Sequence, residues 1–244
     1  MSRRIGLLLL ALLIAAPAWG QDFVYFKKKA AAGGTPTQYT KIISANTTGT
    51  YTGDYSGVVD TQVKTQNATT NYDTATTVET TKYASNNHTH MLIKFTGLSN
   101  IPATATIDNV VLGLYENNAF SFPSGYTVSM KMLLRDWVYN QVTWNIYSTG
   151  NNWTTAGAIS DVNDRAAWTT ASKSGITDVA QWYTWTSAQL ITDVQLIVNG
   201  TNANYGWHFE RTDAADDSKY LVWRTSEIAD GTRPYISVTY TVVE

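Results

Sequence analysis

Apolar and polar side chains alternate with a period of two along most of the chain. In the segment 127–132, Val128, Met130 and Met132 alternate with threonine, serine and lysine. This period is typical of strands that pack one face against a core and expose the other to water. Further strands are predicted in the same way, or by a more continuous apolar run, at 91–95, 110–115, 207–209 and 236–242.

One segment departs from the period of two. After Ser187 the apolar residues have the i, i+3, i+4 and i+7 spacing of a helix: Ala188, Leu190, Ile191, Val194, Ile197 and Val198. Ser187 is a typical helix-capping residue, and Gly200 is suited to the helix end. Many strands, one short helix and no alternation of strands with helices predict an all-β fold, a two-sheet β-sandwich.

The first twenty residues have the features of a signal peptide. Arg3 and Arg4 precede an apolar run over 5–16, and small residues around Trp19 predict cleavage before Gln21. A membrane anchor would need about 20 apolar residues, and this run ends at Pro17. We therefore expect a secreted protein, extracellular or at the cell surface, with no membrane span after cleavage.

Residues 21–57 differ from the rest of the chain and predict an N-terminal arm. Its first part is a candidate strand formed by Phe23, Val24, Tyr25 and Phe26, followed by a lysine run and a tether over 30–37 that is rich in alanine, glycine and threonine. Residues 38–57 are expected to form an extra strand or an extended arm. Residues 58–244 contain no linker-like segment and are predicted to form the sandwich domain.

Charge excludes one class of partner. The chain has 17 basic and 19 acidic residues, a net charge of −2, and removal of Arg3 and Arg4 leaves a net charge near −4. A nucleic-acid-binding protein usually needs a basic surface that neutralises phosphates. We expect no nucleic-acid partner. There is no cysteine, so no disulfide contributes to the fold.

A series of short motifs follows in order between residues 58 and 242. They are Val59-Asp60-Thr61, Asn71-Tyr72-Asp73, the strands around Ile93 and Leu112, Asp136-Trp137 with Val142-Thr143-Trp144-Asn145, the segment 182–200, Ser226-Glu227, and Arg233-Pro234-Tyr235 with its closing strand. This order resembles the DNRLRE family of disaggregatase-related domains. The resemblance implies a jelly-roll-like β-sandwich, and some members of that family are carbohydrate-binding modules, including alginate binders.

Tryptophans flanked by polar residues are candidates for carbohydrate binding. Trp153, Trp168 and Trp182 have such flanks, and flat aromatic rings stack on the apolar C–H faces of sugars. Burial in the core is the alternative for each ring. Arg211, with Lys94 and Arg224, could bind the carboxylates of an acidic polysaccharide or could form structural ion pairs.

Two groups of residues suggest metal sites. Asp213, Asp216 and Asp217 lie close together in a loop, and their hard oxygen ligands suit a structural calcium ion, although a solvated acidic turn has the same pattern. His88 and His90 lie on one face of a predicted strand, and with His208 they could bind zinc. No cofactor other than this calcium ion is expected.

No motif for catalysis is evident. The chain has neither a G-x-S-x-G sequence nor a cysteine nucleophile, and no carboxylate pair for glycoside hydrolysis stands out. We expect a non-catalytic protein that binds polysaccharide or adheres to extracellular matrix. The alternative is a structural subunit of a filament, in which residues 23–26 add as a strand to the sheet edge of a neighbouring copy. The same residues could instead pair within their own sheet.

Overall fold

The computed structural model describes residues 24–26, 36–44, 57–82, 87–117, 125–213 and 219–243. The signal peptide expected over 1–20 lies outside these ranges. Within them the chain forms one α-helix, α1 (Ala188–Val198), and the following strands: β1 (Val24–Phe26), β2 (Thr37–Ser44), β3 (Val58–Lys64), β4 (Thr77–Lys82), β5 (His88–Phe95), β6 (Thr106–Glu116), β7 (Tyr126–Met132), β8 (Ile146–Ser148), β9 (Asn151–Asn152), β10 (Ala171–Ile176), β11 (Gln181–Trp185), β12 (Trp207–Arg211), β13 (Tyr220–Arg224) and β14 (Tyr235–Val242).

Twelve strands form one antiparallel sheet in the order β1-β2-β14-β6-β13-β4-β5-β12-β7-β10, while β11 also pairs with β6 and β3 with β5. Strands β8 and β9 form a separate pair. Apolar residues from both ends of this order, such as Ile43 of β2 and Ala171 of β10, belong to one buried core. The sheet therefore closes over that core as two packed layers, which confirms the predicted all-β sandwich with one short helix.

Large aromatic rings occupy the centre of the core. The Trp185 ring lies 5.3 Å from Phe209 and 5.7 Å from Trp223, centroid to centroid, in edge-to-face geometry. The indole nitrogen of Trp185 donates to the Val128 carbonyl at 3.0 Å, and that of Trp223 donates to Thr80 Oγ1 at 3.0 Å. Each indole thus buries its apolar body and keeps its polar N–H paired.

Helix α1 forms where the spacing predicts it. The Ser187 hydroxyl accepts a hydrogen bond from the Leu190 N–H at 2.9 Å, so it caps the first turn. Gly200 follows the helix with a positive φ of 77°, a conformation that glycine adopts without strain. The buried side of the helix packs on the sheet through Leu190, Val194, Ile197 and Val198.

A second apolar cluster lies on the outer side of β3 and β5. Val59, Val63 and Leu92 of these strands pack against Trp137 and other residues of the segment 133–170, including Leu133, Val142, Trp144, Trp153 and Ala158. We call residues 133–170 the cap. The alternation at 91–95 predicts a strand with one wet face, but the cap covers that face, so Leu92 is buried as fully as Met91 and Ile93.

We expect Trp185→Ala to lower the free energy of unfolding by about 3–5 kcal/mol, because it leaves a large cavity among packed rings. Thr184→Ala is the matched control, since Thr184 is exposed on the same strand and surface changes alter stability by about 0.5 kcal/mol or less. Urea unfolding followed by circular dichroism measures both variants. Equal midpoints for the two variants would contradict this account of the core.

Candidate functional site

Three aromatic residues meet on the outer side of the layer formed by β14, β6 and β11. Trp182 of β11 lies directly opposite Tyr115 of β6, and Tyr235 of β14 lies opposite Gly113 of β6. The strand neighbours Leu114, Tyr183 and Ile236 are buried in the core, so period-two alternation directs these three outwards. We call Trp182, Tyr115 and Tyr235 the aromatic face.

Trp182 is the most exposed ring of this face. Trp182 is 38 % exposed, whereas Tyr115 and Tyr235 are half-buried. The Trp182 ring centroid lies 5.4 Å from Tyr115 and 5.1 Å from Tyr235, both in edge-to-face geometry. Two tyrosines therefore hold the indole in place while part of its surface remains open to a ligand.

Gly113 makes room for this arrangement. A Cβ atom added at Gly113 would lie 2.2 Å from Cε1 of Tyr235, so the tyrosine ring lies directly on the glycine. Burial against the sheet raises the pKa of Tyr235. Glycine inside a strand often marks such a close approach, and here it lets the ring lie flat beside Trp182.

The neighbours of the aromatic face are short and uncharged. Thr184 lies opposite Gly113, and Ser237 of β14 lies opposite Val111 of β6 and Ile42 of β2. Thr184, Ser237, Val111 and Ile42 lie on the same side of the sheet as the aromatic residues, and each is exposed or half-buried. The layer thus presents an aromatic platform bordered by hydroxyl and aliphatic groups, a combination suited to a sugar ring.

The other two predicted tryptophans lie elsewhere. Trp168 is 43 % exposed, and its indole N–H donates to Asp193 Oδ1 of α1 at 3.2 Å. Trp153 is only 4 % exposed; it packs in the cap, where its N–H donates to the Thr143 carbonyl at 3.0 Å. This burial corrects the expectation of an exposed ring, because the polar flanking residues of Trp153 fold around it.

Arg211 is held in an ion pair. Its Nη2 lies 2.7 Å from Asp213 Oδ1, and its Nε donates to Asp213 Oδ2 at 3.1 Å. A third nitrogen donates to the Lys219 carbonyl at 2.7 Å, and the guanidinium lies 4.0 Å above the Tyr126 ring. The side chain is fully buried. The expectation that Arg211 contacts a polysaccharide is therefore corrected: these contacts occupy the guanidinium.

Asp213 is engaged from two sides. Besides Arg211, the Thr127 N–H donates to its Oδ2 at 3.2 Å. Burial alone would raise the pKa of Asp213, but these hydrogen bonds hold it below its usual value. Asp216 and Asp217, the other two residues of the predicted calcium site, lie outside the described residues.

His90 and His208 lie next to each other beneath the cap. Their ring centroids lie 4.6 Å apart, and the ligand atoms of His90, His208 and Glu210 all lie within 4.8 Å of one another. His90 is on β5 and the other two are on β12, which pair directly. His88, the third histidine of the predicted zinc site, lies 6.1 Å from His90, centroid to centroid.

Arg165 of the cap supplies the positive charge at this cluster. Its Nη1 lies 2.8 Å from Glu210 Oε1 and 3.2 Å from His208 Nδ1, and its Nε lies 2.8 Å from Asp161 Oδ1. Lys131 of β7 lies 2.9 Å from the same Asp161 oxygen. The charges of Lys131 and Arg165 thus balance those of Asp161 and Glu210. These contacts favour an ion-pair network that joins the cap to the sheet over a metal centre. We call this network, with His90 and His208, the latch.

Both histidines of this latch are neutral. Burial lowers the pKa of His90 to about 4 and that of His208 well below its usual value. His90 Nδ1–H donates to the Gly157 carbonyl at 3.1 Å. Because Arg165 donates to Nδ1 of His208, the proton of that ring is on Nε2.

Two of the motifs that carry the family resemblance meet in the fold. The Ser226 N–H donates to Asp60 Oδ2 at 2.8 Å, and the Ser226 hydroxyl donates to Glu227 Oε1 at 3.1 Å. Burial and the neighbouring Glu227 raise the pKa of Asp60 well above its usual range. The sequence order of these motifs therefore has a structural counterpart, a buried carboxyl pair joined through one serine.

The N-terminal strand pairs within the chain. Strand β1 lies antiparallel on β2, with Val24 opposite Lys41 and Phe26 opposite Tyr39. It is the last strand of the sheet order, and β2 pairs with β14 along its whole length. Phe23 lies outside the described residues, as does most of the predicted tether. In the described part of the chain, no helix has the length and apolar character needed to cross a bilayer.

Comparison with protein-family models and with curated proteins gives no match. The resemblance to the DNRLRE domains therefore stays a prediction from the motifs.

Several residues of these sites were not among the candidates from the sequence. Tyr115 and Tyr235 lie in strands whose alternation was clear, and Gly113 inside a predicted strand was the available signal of a close backbone approach. Arg165 and Glu210 carry no local motif, because their partners come from distant segments. For them the sequence offers no comparable signal.

His90 predicts a pH dependence of stability. Its folded pKa of about 4 lies below its usual 6.5, so the unfolded chain binds the proton first as the pH falls. The free energy of unfolding should drop by about 1.4 kcal/mol per pH unit between these values, about 3 kcal/mol in all. His90→Gln removes this contribution.

The measurement is urea unfolding of both chains between pH 7.5 and 4. Asp60, whose raised pKa gives the opposite slope, and His208 are present in both chains, so the difference between the two curves reports the contribution of His90 together with its electrostatic effect on His208. The difference should be constant above pH 6.5 and change below it. Parallel curves over the whole range would contradict the neutral, buried state of His90.

Proposed function

We propose that this chain is a secreted, non-catalytic module that binds polysaccharide, or adheres to polysaccharide-containing extracellular matrix, through its aromatic face. The observation that carries the proposal is Trp182, an indole 38 % exposed and held at 5.1–5.4 Å between two tyrosine rings. A large apolar ring kept at the surface by its neighbours has no role in the core. Such rings are typical of binding sites.

The position of the ring on strands supports binding to an extended ligand. The aromatic face spans three neighbouring strands, β14, β6 and β11, whose register places Trp182, Tyr115 and Tyr235 within two cross-strand positions. Residues on paired strands hold their geometry better than residues on loops. A polysaccharide crossing this layer would stack one sugar on Trp182 and meet hydroxyl groups of Thr184 and Ser237 beside it.

The groups around the ring suit binding better than hydrolysis. Glycoside hydrolysis uses two carboxyl groups on either side of the scissile bond, about 5–10 Å apart. The aromatic face and its neighbours Thr184, Ser237, Val111 and Ile42 supply hydroxyl and aliphatic groups instead. The non-catalytic role is therefore part of the proposal.

We expect Trp182→Ala to weaken polysaccharide binding roughly tenfold, because loss of a stacking ring costs about 1–2 kcal/mol and each 1.4 kcal/mol is tenfold in affinity. Gly113→Ala should weaken the same binding, since its methyl group displaces the Tyr235 ring. Affinity gel electrophoresis against a panel of soluble polysaccharides, with pull-down on insoluble ones, measures the effect.

Trp168→Ala is the matched control, because it removes an equally exposed indole that is bonded to α1 rather than placed on the aromatic face. It should bind as the parent chain does. Loss of binding in Trp168→Ala with retention in Trp182→Ala would contradict the assignment of the face. Thermal melts of each variant exclude unfolding as the cause.

A second candidate function is a filament subunit, and the observation that favours it is the place of β1. This strand lies at the end of the sheet order and is joined to β2 over three residue pairs. The same strand from a neighbouring copy could pair with β2 in the same register. Exchange of an edge strand in a head-to-tail manner would then give an open filament.

For this second candidate, we expect negative-stain electron microscopy of residues 21–244 to show regular filaments. Removal of residues 21–35 takes away β1 and leaves β2 intact, so the shortened chain should stay dispersed. Trp182→Ala is the control that should still assemble. Dispersed particles for the chain that retains β1 would rule out the filament and leave the binding module.

A further inference from the structure

The layer that carries the aromatic face contains few charged residues. The four strands β2, β14, β6 and β11, as described, contain a single basic residue, Lys41. Lys41 is 7 % exposed and alternates in phase with Ile43, which belongs to the core. The outer side of this layer therefore presents no basic side chain within these strands.

The same four strands contain two acidic residues, Asp108 and Glu116. Glu116 is fully buried. Asp108 lies at the far end of β6, where its Oδ2 accepts hydrogen bonds from Gln38 at 3.0 Å and Thr241 at 2.7 Å. Between Asp108 and the aromatic face, the outward positions carry hydroxyl, amide or aliphatic side chains, including Asn109, which is exposed, and the Thr40–Thr239 pair, whose hydroxyls lie 3.2 Å apart. Within the four described strands, the formal charge of the outward positions is thus negative.

The basic residues that could bind a polyanion belong to other strands. Arg211 is on β12, Lys94 on β5 and Arg224 on β13. Arg211 is paired with Asp213, and Lys94 Nζ lies 3.8 Å from Asp136 and 5.4 Å from the Trp137 ring centroid. No strand of the aromatic face carries any of these three residues.

We infer that the aromatic face selects uncharged polysaccharides and excludes polyuronates and sulfated polysaccharides. The inference rests on the proposed function and adds the ligand class to it. A polyanion lying on this layer would bring repeated negative charges to four strands whose outward positions carry no cation, and like charges suppress a wrong ligand. An uncharged sugar needs the aromatic platform and the hydroxyl groups alone.

The size of the platform adds a second feature of the ligand. The Trp182 and Tyr235 centroids are 5.1 Å apart, in edge-to-face geometry. Because the two ring planes are inclined at 66° to each other, they do not offer two parallel stacking surfaces, and the two rings form one platform. A single sugar stacks there, and the neighbouring sugars of the chain lie over Thr184 and Ser237, whose hydroxyls can donate to or accept from sugar hydroxyls.

The test is affinity gel electrophoresis of the chain from residue 21 at low salt and in 0.5 M NaCl. The gels contain either uncharged polysaccharides (a mixed-linkage β-glucan, a xyloglucan, a galactomannan and a xylan) or polyanions (alginate, polygalacturonate and a sulfated galactan). We expect retardation by at least one uncharged polysaccharide, unchanged by salt because no ion pair is involved. Polyanions should give at least tenfold weaker retardation. Trp182→Ala should lose the retardation, and Trp168→Ala should keep it.

Each other outcome overturns a defined part of the proposal. Stronger retardation by a polyanion, lost in 0.5 M NaCl and dependent on Trp182, would overturn the selection of uncharged ligands while leaving the aromatic face as the binding site. Polyanion binding that is retained in Trp182→Ala would overturn both the selection of uncharged ligands and the aromatic face as the binding site. Lys94 and Arg224 would then be the residues to substitute next. Absence of retardation by every polysaccharide, in a chain whose circular dichroism shows it to be folded, would overturn the proposed function itself.

Discussion

The register of β6 between two partner strands is the constraint on which the outer layer depends. Strand β6 pairs with β14 from Thr106 to Gly113 and with β11 from Leu112 to Glu116. Leu112 and Gly113 are therefore the positions at which both partners meet β6. A shift of either partner by one residue would turn its side chains to the opposite side. Trp182 or Tyr235 would then point into the core, and Trp185 or Ile236 would point outwards.

The second constraint is the cost of covering a sheet on both sides. A cap over β5 and β12 buries polar side chains that would face water in a simple sandwich, and unpaired buried charges are expensive. The structure offsets this cost with a balanced set, Lys131 and Arg165 against Asp161 and Glu210, and with two histidines kept neutral by burial. The same burial lowers the pKa of both histidines.

Much of the fold could be predicted from local patterns. The alternation in the closing segment and the spacing after Ser187 correspond to β14 and α1 as observed. The candidate site was predicted in part: Trp182 is exposed, but Trp153 is buried in the cap. Both tryptophans have polar flanks, so the flanks do not distinguish a ring at the surface from one that a loop folds around.

The sequence by itself determined the element types, because period-two and helical spacing are properties of neighbouring residues. It also determined the low charge, with a formal net charge of −2. Only the tertiary structure decided which segments meet. The contact of Tyr235 with Gly113, of Arg165 with His208 and of Asp60 with Ser226 each joins residues far apart in the chain. Periodicity assigns a side chain to one side of a strand, but what covers that side depends on how distant strands pair.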